Sequence, residues 1–87
     1  MKKIIITIIS LFVGIISLSA QEKGFMQSAY DAVKAGEYES AIVFYDKAIE
    51  AKNDFAPAYY GRAIAYAHLE NIDNSISDLL KAVEYDN

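Results

Sequence analysis

The sequence predicts an all-α fold: two antiparallel helix-turn-helix repeats stacked as a short α-solenoid, preceded by a signal-peptide helix. Three observations lead there. Beyond residue 20, apolar and small residues recur at i, i+3 and i+4, the spacing of one helix face. Turn-forming residues interrupt that pattern at Gly36, at Lys52-Asn53-Asp54 and at Glu70-Asn71. The chain also matches itself at an offset of 34 residues, pairing Ala29 with Ala63, Ile42 with Ile76, Lys47 with Lys81, Ala48 with Ala82 and Glu50 with Glu84. A period of that length is the mark of stacked helix pairs.

Residues 1–20 read as an export signal. Met1-Lys2-Lys3 is a short basic head, Ile4 to Leu18 is apolar apart from Thr7, Ser10 and Ser17, and Ser19-Ala20 supplies a small-residue exit. Cleavage is expected after Ala20 or, with the smaller Ser17 three residues upstream in place of Leu18, after Ser19. The apolar run of about 15 residues is shorter than the ~20 that a spanning helix needs. An uncleaved membrane anchor is the alternative, and only that form would hold the protein to a membrane. The short lysine-headed signal and the lack of cysteine suit a periplasmic or extracellular protein of a bacterial envelope.

Cleavage leaves one small domain, residues 21–87, with repeat one over about 22–55 and repeat two over about 56–87. A core below roughly 70–80 residues rarely supplies more than about 3–5 kcal/mol. With no cysteine, neither disulfides nor thiolate metal sites add to it. Close helix packing, self-association or sequence missing from this chain must then supply the rest.

The first helix is expected over Lys23–Ala35, with Phe25, Ser28, Ala29, Ala32 and Val33 on one face. Gly36 ends it, because glycine tolerates the left-handed conformation just past a helix end. The second is expected over Glu39–Ala51, burying Ala41, Ile42, Tyr45, Ala48 and Ile49. Asp54 is the expected N-cap of the third, over Phe55–Leu69, with Pro57 in its first turn and Tyr59, Ala63 and Tyr66 inward. The fourth is expected over Asp73–Tyr85, with Ile72, Ile76, Leu79, Ala82 and Val83 inward. Short connections make neighbours antiparallel.

Composition excludes several functions. The formal net charge is −4, and removing Lys2 and Lys3 with the signal takes it to −6. An acidic surface repels phosphate backbones and anionic lipid, so no nucleic-acid partner is expected. His68 is the lone histidine and makes a poor metal site without a companion. Glu37 and Glu39 complement a helix N-terminus, and Asp73 and Asp78 lie five apart, off a shared helix face. No serine sits in a nucleophile motif, and the four glycines form no phosphate loop. No enzymatic activity, metal or cofactor is expected.

Gly36, Tyr38, Ala41, Tyr45 and Ala48, followed by Tyr59, Ala63, Tyr66, Leu79 and Ala82, resemble the motif of the tetratricopeptide repeat family. The junction Phe55-Ala56-Pro57-Ala58-Tyr59-Tyr60 is similar to that family's as well. The resemblance spans nearly all of residues 22–87. Asn53 and Asn87 stand where the family has a helix-ending proline, Glu70 replaces the turn glycine of the second unit, and Ser75 replaces its small alanine. The second turn is therefore expected to be strained.

The resemblance implies a scaffold whose first helices line a concave, partner-binding groove. It places Met26, Gln27, Tyr30, Lys34, Tyr60, Ile64, Ala67 and His68 on that surface, a mixture suited to a peptide or protein partner. One subtype of the family grips carboxylate termini with Lys and Asn. Met26, Tyr30 and Gly61 stand at those positions here, so that activity is not expected. With only two repeats, the fourth helix should expose apolar surface around Leu79, Leu80 and Val83. The expected function is an exported, non-enzymatic protein-interaction module. The alternatives are a self-assembling scaffold joined through that open face, or the N-terminal part of a longer envelope protein.

Overall fold

In a computed structural model, residues 21–86 are described; the proposed signal segment and Asn87 lie outside them. Four helices run in sequence among the described residues: α1 over 21–34, α2 over Tyr38–Ala51, α3 over Ala56–His68 and α4 over Ile72–Tyr85. Each expected helix is present, with ends displaced by at most two residues.

Alanine sets the spacing. Ala29 and Ala32 on α1, Ala41 and Ala48 on α2, and Ala58 and Ala65 on α3 are buried in one cluster with Tyr45. Small side chains let the helix backbones approach closely, and half-buried Phe25, Val33, Ile42, Phe44 and Ile49 fill the margins. Gly61 serves the same end on α3. A Cβ there would overlap the ring of Tyr45, so only glycine lets α2 seat its tyrosine against α3.

The two intra-repeat turns are copies of each other. After α1, the Gly36 amide donates to the Val33 carbonyl (3.0 Å) and the Glu37 amide to Ala32 (2.8 Å). After α3, the Glu70 amide donates to Ala67 (3.0 Å) and the Asn71 amide to Tyr66 (2.9 Å). Both are the paired C-terminal closure that requires one left-handed residue. Gly36 meets that requirement at φ 77°, but Glu70 holds φ 61° as an L-residue. The strain expected of the second turn is therefore located at Glu70.

Two expectations need correction. Asp54 does not cap α3: Phe55 occupies the N-cap, no side chain caps it, and Pro57 lies in the first turn. Pro57 lacks an amide and already removes one of the donors a cap would satisfy. Side-chain capping occurs instead on α4, where the Asn71 carboxamide accepts from the Asn74 amide at 3.4 Å. The buried face of α4 is also not the aliphatic one. Ser75, Asp78 and Ala82 face inward, while Ile72, Ile76, Leu79 and Val83 are exposed. Of α2 and α3, α4 packs on α3 alone, and the polar inward residues have partners there. The Ser75 hydroxyl donates to the Ala63 carbonyl (2.9 Å), and Asp78 is claimed by Arg62.

Candidate functional site

The surface expected to bind a partner comes from α1 and α3. Helical spacing sets Met26, Tyr30 and Lys34 four residues apart along α1, and Tyr60, Ile64 and His68 likewise along α3. The two rows are register equivalents across the 34-residue offset. Tyr30 and Tyr60 are each 56% exposed and Ile64 is 36% exposed, an apolar series left open to water. Met26 is half-buried against the core, and Gln27 is exposed with its amide donating to Asp31 (3.0 Å). The Lys34 ammonium lies 5.4 Å from the centre of the Tyr30 ring.

These residues border three hollows. Met26, Gln27 and Tyr30 border a hollow of about 260 Å³ shared with Phe55. Ile64, Ala67 and His68 border a second of about 230 Å³. Tyr60 faces a third and larger hollow, about 420 Å³, whose other walls include Pro57, Leu79, Ala82 and Val83. Tyr60 is thus the point where the α1/α3 surface meets the exposed face of α4. His68 is also less free than its position in sequence suggests, since its ring stacks on Tyr38 with centroids 4.3 Å apart and planes within 4°.

Behind this surface lies a charged cluster that sequence reasoning missed. Arg62 donates from Nε and Nη2 to the two carboxylate oxygens of Asp78, at 2.8 and 2.7 Å, and from Nη1 to Asp46 at 2.8 Å. Tyr59 and Tyr66 place their rings 5.6 and 6.0 Å from the guanidinium carbon. Asp78 is only 4% exposed, so its charge depends on this pairing. The Asp78 hydrogen bonds lift Arg62 further above its already high range, against the cost of burial. Arg62 stays cationic throughout, and a permanently paired guanidinium acts as a strut, not as an acid or base. Nearby, the Tyr59 hydroxyl donates to the Asn53 carbonyl (2.6 Å), tying the inter-repeat loop to α3. Burial pushes the Tyr45 and Tyr59 phenols up, so both stay protonated through the neutral range.

The described residues hold no group of three or more metal-ligating side chains and no helix long and apolar enough to cross a membrane. What they present is a stack of helical hairpins with an apolar, partly aromatic surface: a helical-repeat protein. The tetratricopeptide repeat family model matches residues 28–55 and 56–87, and the chain belongs to that family. Repeats of this kind are protein–protein interaction modules.

The chain is similar to the serine/threonine-protein phosphatase 5 of human, rat and mouse, each 40% identical over 58 residues. That match takes in 67% of this chain but 12% of each phosphatase. The chain thus spans about an eighth of the length of these curated relatives. No solved structure matches the chain.

Proposed function

We propose that this protein is an exported, non-enzymatic module that captures a peptide or protein partner on the α1/α3 surface. One observation carries the reading: Tyr30 and Ile64 stand exposed at equivalent repeat positions of α1 and α3, with exposed Tyr60 one turn before Ile64 and hollows beside them. Aromatic and aliphatic side chains already ordered on helices bury area at little entropic cost, and recognition modes of this type rely on such anchors. Lys34 beside Tyr30 favours an acidic or carboxylate group on the partner at that end. Carbonyl and amide groups of a bound segment would meet Gln27 and Lys34.

The test is selection of ligands from a random peptide library on the purified protein, followed by titration of the winners against Tyr30→Ala/Ile64→Ala. Both positions are exposed, so helicity should hold while affinity falls at least roughly tenfold. Undiminished binding by the variant would remove this surface from consideration.

Export rests on residues 1–20 and is tested separately. Expression with its own leader should yield, outside the cytoplasm, a chain beginning at Ala20 or Gln21. An intact Met1 in the membrane fraction would favour the retained anchor.

A further inference from the structure

The exposed apolar residues of α4 coincide with an interface that the molecule already uses once. Tyr38, Ile42, Tyr45, Asp46 and Ile49 form the side of α2 that α3 covers. Tyr38 stacks on His68, Tyr45 fits against Gly61, and Asp46 accepts from Arg62. Thirty-four residues on, the same positions of α4 are Ile72, Ile76, Leu79, Leu80 and Val83. All five are exposed, from 40% at Leu79 to 75% at Val83. In α2 this face is covered by an antiparallel helix, and in α4 it is an uninterrupted aliphatic stripe. Stripes of this extent on a small domain mark an interaction surface.

Size and polarity constrain the occupant. Where α2 carries bulky Tyr45, α4 carries the smaller Leu79, and the hollow of about 420 Å³ opens beside it. An occupant must therefore bring medium-sized apolar side chains, not the glycine and alanines of α3. Head-to-tail stacking of a second molecule would offer α1. Its equivalents of the α3 contact residues are Gln27, Ser28, Asp31 and Lys34, whose polar groups would lose water against leucine and valine. The α4 stripe itself is a better match. Turned antiparallel about a two-fold axis, Ile72 of one molecule meets Val83 of the other, and Ile76 meets Leu79 and Leu80. Every apolar residue then finds an apolar partner, and no charge lies inside the stripe.

We propose that α4 forms a two-fold, antiparallel dimer interface with a second copy of this chain. The arrangement carries its own electrostatic signature. Asp73, Leu80 and Glu84 lie along one edge of α4. In an antiparallel pair about a lateral two-fold axis the same edges of the two copies meet. Asp73 and Glu84 of opposite molecules then repel each other across the rim, and screening relieves that repulsion.

Sedimentation equilibrium of the purified protein should show a reversible monomer–dimer system whose dissociation constant falls as salt is raised. Leu80→Glu/Val83→Glu should weaken association at least roughly hundredfold while leaving the helical spectrum of the monomer intact, since both positions face water. The chain has no cysteine. Disulfides can therefore report geometry: an equimolar mixture of Ile72→Cys and Val83→Cys should cross-link, and neither variant should do so alone. A monomer at all concentrations overturns the proposal, as would a dimer indifferent to the paired glutamates. Self-linking of Val83→Cys would show parallel pairing and also refute it. Dissociation by salt would show that attraction between opposite charges, not the apolar stripe, holds the copies together, and would refute it as well. None of these outcomes bears on peptide capture at Tyr30 and Ile64.

Discussion

Glu70→Gly should stabilise this protein, although it deletes a side chain and puts the most flexible residue at a helix end. Glu70 closes α3 at φ 61°, while its register equivalent Gly36 closes α1 at φ 77° with the same two backbone hydrogen bonds. The left-handed conformation costs an L-residue about 1–2 kcal/mol through the clash of its Cβ with the following carbonyl. Glycine removes that cost but loses about 0.4–1 kcal/mol through the greater freedom of the unfolded chain. The net gain is about 0.5–1 kcal/mol. In a domain of this size it raises the melting temperature by about 2–8 °C. The Glu70 side chain is exposed, so little else is disturbed. Its negative charge at a helix C-terminus is unfavourable, however, and deleting it alone could add a few tenths of a kcal/mol. Glu70→Ala separates the two effects by removing the charge and keeping the Cβ. Urea and thermal unfolding followed by circular dichroism should rank Gly above Ala with an unchanged denaturant slope. Equal or lower stability of the glycine variant would refute the strain argument.

Two further substitutions probe the packing. Gly61→Ala should cost about 1–3 kcal/mol, because the new methyl overlaps the Tyr45 ring. Tyr45→Leu in the same chain, which copies Leu79 of the second repeat, should restore part of the loss in a urea titration. An unaffected Gly61→Ala would mean that α2 and α3 are less closely held than described. Arg62→Ala leaves Asp78 buried without a partner and should cost about 3 kcal/mol or more, while the half-exposed Asp46 contact adds little. A loss of that size approaches the whole stability of so small a domain. The expected readout is a thermal transition that becomes broad or disappears, and a melting curve close to the parent's would refute the role given to the cluster.

The helices were legible because their cause is local. Periodicity, Gly36 and the polar loops set element ends to within one or two residues, and the 34-residue offset set the stacking. Ala41, Ala48 and Ala63 were readable as contact points because small residues at repeat positions have one obvious use. Burial on α4 was misread for a physical reason. Apolar periodicity points to the aliphatic stripe, but α4 turns its serine, aspartate and alanine toward α3, where hydrogen-bond partners wait. The Arg62 cluster was missed because it has no counterpart in the first repeat, where Ser28 stands for Arg62 and Phe44 for Asp78. The equal 16-residue steps from Asp46 to Arg62 and on to Asp78 were the available signal. For the binding surface, the placement of Tyr30, Tyr60 and Ile64 was legible through the family resemblance, and all three are exposed. The stacking of His68 on Tyr38 could not be read, since it depends on how two helices thirty residues apart cross.

Arg62 also changes what sort of repeat protein this is. In a regular array each unit has its own stability and adds a standard interface, so units can be removed or duplicated at a foreseeable cost. Here one guanidinium on the second unit is held by a carboxylate from each side, Asp46 of the first unit and Asp78 of its own. Deleting the first unit would strip Arg62 of one partner and expose the alanine seam of α3. Duplicating the second would set a new Arg62 against Leu80, where no carboxylate waits. The two units descend from one pattern but are no longer interchangeable parts, and they should melt in a single step.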